Sequence, residues 1–295
     1  AAVQIPAELP KFVPDDQVDN STSVFYMPHR PVVKEQSTST KVRPVFDASA
    51  RGYNGVSLND CLHAGPCLLP NLTSVLIRFR RWKIGITSDI TKAFLQILVH
   101  PDDRDVHRFL WRDENGDVRH LRFRRLPFGN KSSPFLLNAT IKYHLSQFES
   151  SNIVTELKEN LYVDDFLTGA DSEDEACSLI NEANQIMNLA SMSLAKWTSS
   201  GEGVAHMLAR EFHERFYVYD SLKVLGLQWI SANDCFFFDG VACGEVCVTK
   251  RVILSLISRV FDPLGLLCPF VITLKCIFQN VWKLYLDWNE VVPEE

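Results

Sequence analysis

The residues best suited to chemistry are Tyr162-Val163-Asp164-Asp165, set between two short apolar runs in Leu161-Tyr162-Val163-Asp164-Asp165-Phe166-Leu167. The pattern reads as two strands joined by an acidic bend. Adjacent carboxylates on a tight hairpin repel each other unless a cation lies between them. That points to a metal-assisted reaction, and such a reaction needs a further acid from elsewhere in the chain. Asp89, which ends the short strand Ile84-Gly85-Ile86-Thr87-Ser88-Asp89, is the candidate. A lone Asp at a strand end is usually a turn or cap residue, so Asp89 gains its weight from the needs of the hairpin. We expect Asp89 and Asp164 side by side on neighbouring strands, with Asp165 at the edge. Divalent ions about 3.5–4 Å apart could then bridge the acids and serve phosphoryl transfer. Mg²⁺, which takes few protein carboxylates plus substrate oxygens, suits so sparse a set.

The rest of the chain must position these acids. At 295 residues, with 46% apolar and 22% charged residues, it has the composition of a globular protein of one large domain or two to three subdomains. No apolar run approaches the roughly 20 residues that span a bilayer. The first twenty residues hold three prolines, three aspartates and a glutamate and do not read as a signal peptide. The eight cysteines form no CxxC pair; Cys235, Cys243 and Cys247 could make a thiolate cluster, but buried or free thiols are the plainer expectation. The net charge of −6 conceals an asymmetry. Residues 78–131 carry 13 Lys/Arg against 7 Asp/Glu, and residues 145–195 carry 10 Asp/Glu against 1 Lys. A basic zone beside an acidic one fits a protein that holds polyphosphate and metal ions, although two unrelated solvated faces would give the same tally.

In chain order, residues 1–22 read as a loose lead-in. Pro31–Lys34 and Lys41–Asp47 read as a hairpin that brings Lys34, Lys41 and Arg43 together, and 71–82 as a helix capped by Asn71. Residues 106–111 and 118–126 flank an Asn115-Gly116 turn, with Arg122 and Arg124 facing solvent or phosphates. Leu126 to Pro134 is a turn feeding a helix to about Phe148, with Ser133 as N-cap and Pro134 as first helical residue. A capped helix over 172–190 follows the acidic hairpin, then strands at 193–197 and 221–229, the latter with Gly226 inside it. Two helices, 248–260 and 271–286, end the chain. The order from Ile84 to Leu227 is a split β-α-β pattern with an antiparallel sheet.

These stretches carry a family resemblance. Asp89 to Phe94, Leu126 to Pro134, Tyr162 to Asp165, Lys196 and Leu225-Gly226 look like the successive palm motifs of reverse transcriptases. The chain resembles in particular the polymerase of BEL/Pao-type long-terminal-repeat retrotransposons. Residues 24–49, Leu58-Asn59-Asp60-Cys61-Leu62, Gly65-Pro66 and 257–267 carry that narrower match. The resemblance implies an α+β right-hand polymerase fold with a ferredoxin-like antiparallel palm sheet. It places a lead-in at 1–23, fingers at 24–83 and 97–132, palm at 84–96 and 133–230, and the start of a thumb or connection at 231–295.

The resemblance further implies RNA- and DNA-templated DNA synthesis with two Mg²⁺ ions, Mn²⁺ being an alternative. Asp89, Asp164 and Asp165 match the metal-binding catalytic triad, and Lys196 a lysine that protonates pyrophosphate. Arg43, with Lys34 or Lys41, matches the contact to the triphosphate. Phe94 matches the bulky gate against a 2′-hydroxyl. Phe128 and Gly129 fall in the nucleotide-side loop, where Phe128 stands in place of the Gln common in retroviral enzymes. Lys131, Ser133, Pro134, Tyr162 and Val163 fall on the template-primer side, and Leu225-Gly226 on the primer grip. The partners implied are an RNA or DNA template-primer, dNTPs, and protease, RNase H and integrase regions outside this chain. The implied setting is a cytoplasmic virus-like particle or the nucleus, without a membrane. The alternative is a decayed or domesticated retroelement domain that binds nucleic acid or protein without catalysis.

Overall fold

The computed structural model describes residues 10–18, 23–33, 42–211, 221–238 and 247–293, so Lys34 and Lys41 lie outside the described residues. The chain falls into two units: residues 1–69, 90–158 and 182–194, and residues 70–89, 159–181 and 195–295.

In the first unit, strand β1 (Pro10–Phe12) and helix α1 (Asp15–Val18) lie in what reads as a loose lead-in. Strands β2 (His29–Val33) and β3 (Val42–Phe46) form the expected hairpin, with Val32 opposite Arg43. Strands β5 (Arg108–Arg112) and β6 (Val118–Phe123) form the second, closed at Asn115-Gly116 with Gly116 at φ 89°. The Asp113 carboxylate accepts the backbone N–H of Asn115 and of Asp117, each at 3.0 Å. Strand β1 pairs with β6, giving the order β1-β6-β5, so the lead-in supplies an edge strand.

Alternation along β6 sends Leu121 and Phe123 into a core with Met27, Leu58 and Phe109. Arg122, expected to face solvent or phosphates, pairs with the Asp105 carboxylate at 2.8 Å. Arg108 is fully buried. Its guanidinium donates to Asp105 at 2.9 Å and to the carbonyls of Gln17 and Val18 at 2.7 and 3.0 Å, which ties α1 down. The short helix α2 (Leu58–Cys61) carries a capping box between Ser57 and Asp60.

Helix α4 (Ser133–Leu145) buries Leu137, Ile141 and Leu145. Its cap is Ser132 rather than Ser133, with Ser133 and Pro134 as its first two residues. A further helix, α5 (Asn152–Asn160), precedes the acidic hairpin and buries Ile153, Val154 and Leu157.

The second unit is built on a four-stranded sheet of order β7-β8-β4-β9, from β4 (Ile84–Ile90), β7 (Leu161–Tyr162), β8 (Asp165–Ala170) and β9 (Leu194–Ser199). Strand β8 is antiparallel to both β4 and β7. Helix α3 (Leu72–Phe79) lays Val75, Leu76 and Phe79 on Leu167, Leu227 and Trp229. Close approach to the sheet depends on two glycines in register, Gly85 opposite Gly169. A Cβ on Gly85 would lie 3.1 Å from the Phe79 and Trp229 rings, and one on Gly169 would strike the Ile84 carbonyl.

Helix α6 (Glu173–Leu189) buries Ala176, Ile180, Ala183 and Met187, as its spacing predicts. Helix α7 (Glu202–Glu211) follows β9. The stretch 221–229 is not one strand. It is a hairpin of β10 (Ser221–Val224) and β11 (Leu227–Ile230), extended by β12 (Cys235–Phe237).

Helices α8 (Lys250–Ser258) and α9 (Cys268–Trp282) pack on each other at the end of the chain. The Asp262 carboxylate between them accepts the N–H groups of Leu266 and Leu267 at 3.0 and 2.6 Å. No helix among the described residues is long and apolar enough to cross a membrane.

Trp229 is wholly buried, meets the Phe79 ring edge-on at 5.2 Å, and donates its indole N–H to Asp234 at 2.9 Å. Replacing Trp229 with Ala is expected to lower unfolding stability by about 3–5 kcal/mol, read as a shift of the urea midpoint. A loss below about 1 kcal/mol would place this residue outside the core.

Candidate active site

Asp89 and Asp165 are direct cross-strand partners on β4 and β8. The expected neighbour of Asp89 was Asp164, but Asp164 occupies the two-residue turn with Val163, and Asp165 stands opposite Asp89. The reason is the turn itself: Tyr162 pairs with Asp165, which leaves Val163 and Asp164 as the bend. Val163 has φ 58°, a strained value for a β-branched residue. Lys196 on β9 has φ 54°, and its Nζ donates to Asp89 Oδ2. The other oxygen, Asp89 Oδ1, is buried with no hydrogen-bond partner among the described residues.

Burial pushes the Asp165 carboxyl up to about 6, and the charges of Asp164 and Asp89 add to the effect against the opposing Lys196. Burial also raises Asp164, reinforced by the Asp89 charge and opposed by its own backbone N–H and by Lys196. A cavity of about 190 Å³ opens here, lined by Asp89, Asp165 and Lys196 and by Lys223 and Val224 of β10. The next residues, Leu225 and Gly226, make the β10–β11 turn with φ 47° and 92°, the signature of a type I′ bend. A Cβ on Gly226 would lie 2.7 Å from the Phe261 ring, so close backbone approach holds there, although at a turn rather than within a strand.

The residues expected around the nucleotide lie in the other unit. Arg43 is exposed on β3. Phe94 sits on the 3₁₀ turn Ala93–Gln96, and its ring meets that of Phe128 edge-to-face at 5.0 Å and 73°. Gly129 has φ 93° and leaves only 3.1 Å between a Cβ and the Phe46 carbonyl. Lys131 and Pro134 are exposed. Ser133 is buried, and its hydroxyl donates to the Pro127 carbonyl at 2.8 Å, so its side chain closes the loop instead of facing outward.

Two further loop contacts were not read from the sequence. Asn130 bonds the buried His107 ring at 2.7 Å, and burial drops His107 to about 4, leaving it neutral. Asn59 bonds the backbone of Gly129 and Lys131. Asn59 falls in the Leu58–Leu62 stretch that carries the family resemblance, but that signal does not name its distant partners.

Residues 34–200 match the family described as Reverse transcriptase (RNA-dependent DNA polymerase). The chain belongs to the reverse transcriptase family. Residues 249–295 match the Pao retrotransposon-like RNaseH-like domain. The expectation that every RNase H region lies outside this chain is corrected by that match, which falls where a thumb or connection is expected.

Two retroviral relatives are the Gag-Pol polyproteins of woolly monkey sarcoma virus, 35% identical over 101 residues, and koala retrovirus, 34% identical over 101 residues. Each match covers 34% of this chain and 6% of the polyprotein, so the chain corresponds to a small part of these relatives. Among solved structures, the foamy viral protease-reverse transcriptase in complex with double-stranded DNA aligns at TM-score 0.60 and 17% identity, over 92% of this chain and 41% of that one. The same enzyme with an RNA/DNA hybrid aligns at TM-score 0.53 and 15% identity, over 93% and 32%. The fold of this chain is therefore the mixed α/β fold of those enzymes.

The acids fit a hard divalent ion by donor type. All are carboxylate oxygens, two are held in mutual repulsion, and Asp89 Oδ1 is an orphaned buried acceptor. They are not a closed cage, for no group of three or more potential ligands among the described residues is already arranged around one point. Open positions of that kind suit an ion that keeps substrate oxygens and water.

The Asp165 carboxyl ionises later in the fold than at its ordinary 3.8, so the folded state is favoured while it is protonated. Its contribution is therefore full below pH 3.8 and is lost as pH rises through about 6. In EDTA, Asp165→Asn is expected to be more stable than the parent at pH 7 by about 1–2 kcal/mol after solvent screening, with the difference fading toward pH 4. Urea titrations across that range provide the measurement, and parallel stability curves for the two proteins would contradict it.

Proposed function

We propose that this chain is the core of an RNA-directed DNA polymerase that adds dNTPs to a primer 3′-hydroxyl by two-metal nucleotidyl transfer. Its biological setting would be replication of a BEL/Pao-type long-terminal-repeat retrotransposon in a cytoplasmic virus-like particle. The observation that carries this reading is the cross-strand pair Asp89–Asp165 with Asp164 on the adjoining turn, in a chain whose residues 34–200 match the reverse transcriptase family. In this reading the β7-β8-β4-β9 sheet is a ferredoxin-like palm, the hairpins β2–β3 and β5–β6 belong to the fingers, and residues 231–295 begin the thumb or connection.

Asp89, Asp164 and Asp165 would hold two Mg²⁺ ions, or Mn²⁺. When bound, these ions supply Lewis-acid polarisation of the α-phosphate and a more acidic primer hydroxyl. Lys196, whose Nζ donates to Asp89, would give a proton to the departing pyrophosphate. Arg43 carries a guanidinium suited to bidentate contact with the triphosphate, and Lys34 and Lys41 belong to the same hairpin in sequence. Phe94 excludes a 2′-hydroxyl by its bulk. Lys131, Pro134, Tyr162 and Val163 face the template-primer, and Leu225-Gly226 grips the primer end. Ser133 acts by shaping its loop. The foamy viral enzyme has been solved with double-stranded DNA and with an RNA/DNA hybrid, which supports an RNA or DNA template-primer as partner here.

Asp164→Asn is expected to abolish dNTP incorporation on a primed RNA template while template-primer binding, followed by fluorescence anisotropy, persists. Full activity in that variant would remove the assignment. Binding without incorporation in the parent protein would identify instead a retroelement domain that has lost catalysis.

A further inference from the structure

We propose that Asn59 is a positioning residue for nucleotide selection: through the backbone of Gly129 and Lys131 it fixes the Phe128 ring that backs Phe94. The inference rests on the reading of Phe94 as the gate against the 2′-hydroxyl.

The four residues from Ser57 to Asp60 divide their work. The Ser57 hydroxyl and the Asp60 carboxylate bond each other's backbone N–H at 3.1 and 3.0 Å and close one helical turn. Leu58 is 3% exposed and belongs to the core. This leaves the Asn59 amide directed at two other segments. Its Nδ2 donates to Ser49 Oγ at 2.8 Å and to the Gly129 carbonyl at 3.0 Å, while its Oδ1 accepts the Lys131 N–H at 2.8 Å. Its backbone N–H bonds the Ala48 carbonyl at 2.9 Å.

Only a primary amide of this length offers two donors and an acceptor in that spacing. Asp would set a carboxylate against the Gly129 carbonyl, Gln would overreach by a methylene, and Ala would leave the loop unbonded. The amide thus ties together α2, the segment following β3, and the 129–131 loop.

That loop has little freedom. Gly129 takes φ 93° and rests against the Phe46 carbonyl. Phe128 directly precedes it, with a side chain more than half exposed, and its ring contact in the structure is the edge-to-face one with Phe94. The Phe128 ring is therefore placed by its backbone, which Ser133 holds on the Pro127 side and Asn59 holds on the Gly129 side. A gate must reject an added hydroxyl, and an apolar wall that can shift by about 1 Å does so poorly. Phe128 accordingly serves as a buttress for Phe94, the role left open where a Gln amide is absent.

The test is single-nucleotide incorporation with matched dNTP and rNTP on a primed RNA template, for the parent, Phe94→Val, Asn59→Asp, Ser49→Ala and Phe128→Ala. Thermal melting of each protein is recorded alongside. Phe94→Val is expected to lower dNTP-over-rNTP selectivity by about 100-fold. Asn59→Asp is expected to lower it by about tenfold, with a higher KM for dNTP and with no further loss when added to Phe94→Val. Ser49→Ala, which removes only the bond outside the loop, keeps the parental ratio. A ratio of this kind is not moved by a change in stability alone.

Parental selectivity in Asn59→Asp, with relaxed selectivity in Phe94→Val, overturns the inference and leaves the gate standing. Parental selectivity in Phe94→Val removes the gate and the inference with it. Should Asn59→Asp fail to fold, Phe128→Ala interrogates the same link from an exposed position, and unchanged selectivity there overturns the proposal equally.

Discussion

Repulsion among three carboxylates is the constraint around which the second unit is arranged. Asp89, Asp164 and Asp165 are brought together by strand register and by a two-residue bend, and neither device relieves their charge. The strands must therefore hold the acids in place against their mutual field. Gly85 and Gly169 make this possible: the first leaves room for Phe79 and Trp229 to press on the sheet, and the second lets the Ile84 carbonyl and Trp82 come close where β4 pairs with β8. A slip of one residue in β8 would send Asp165 and Leu167 to the opposite face and bring the buried Phe166 to theirs. Lys196 provides the counter-charge within the protein, held at a positive φ that a strand residue adopts only when its surroundings insist.

Strain gathers at the same place. Val163, Lys196 and Leu225 all take positive φ, at 58°, 54° and 47°. Each such conformation costs about 1–2 kcal/mol for a non-glycine residue. In the type I′ turn Leu225 contributes by packing on the apolar cluster around Trp229, a contact a glycine would lack. The residues expected to meet the nucleotide are organised separately, in a unit with its own aromatic core. That unit shapes its 127–133 loop with side-chain hydrogen bonds from Asn59, His107 and Ser133.

The sequence discloses those parts whose physics is local. The Asn115-Gly116 turn, the Asn71 cap of α3, the apolar stripe of α6 and the acidic bend each announce themselves within a few residues, and each is found. Errors arise where distant partners decide. Leu222 to Trp229 alternates like one strand, yet Leu225-Gly226 folds it back because β11 has β12 to pair with. Arg122 reads as a phosphate ligand only until Asp105 is found beside it. Asp164 and Asp165 cannot be ranked against Asp89 without the register. Helix α5 is short and rich in polar residues, and its buried apolar side chains Ile153, Val154 and Leu157 make sense only against the rest of its unit. Asn59 is the hardest case, since its partners lie 70 and 72 residues away.

The buried guanidinium of Arg108 bears on where this protein can be cut. Two of its acceptors are backbone carbonyls of Gln17 and Val18, and the adjoining strand β1 covers the edge of β6. A fragment begun downstream of residue 18, at the apparent edge of the motif-bearing region, would keep every motif and still be impaired. It would leave a cation in the interior without two of its carbonyl acceptors, and an open strand edge able to recruit another chain. The segment that looks most like a dispensable leader thus covers a strand edge and completes the site of a buried cation 90 positions away.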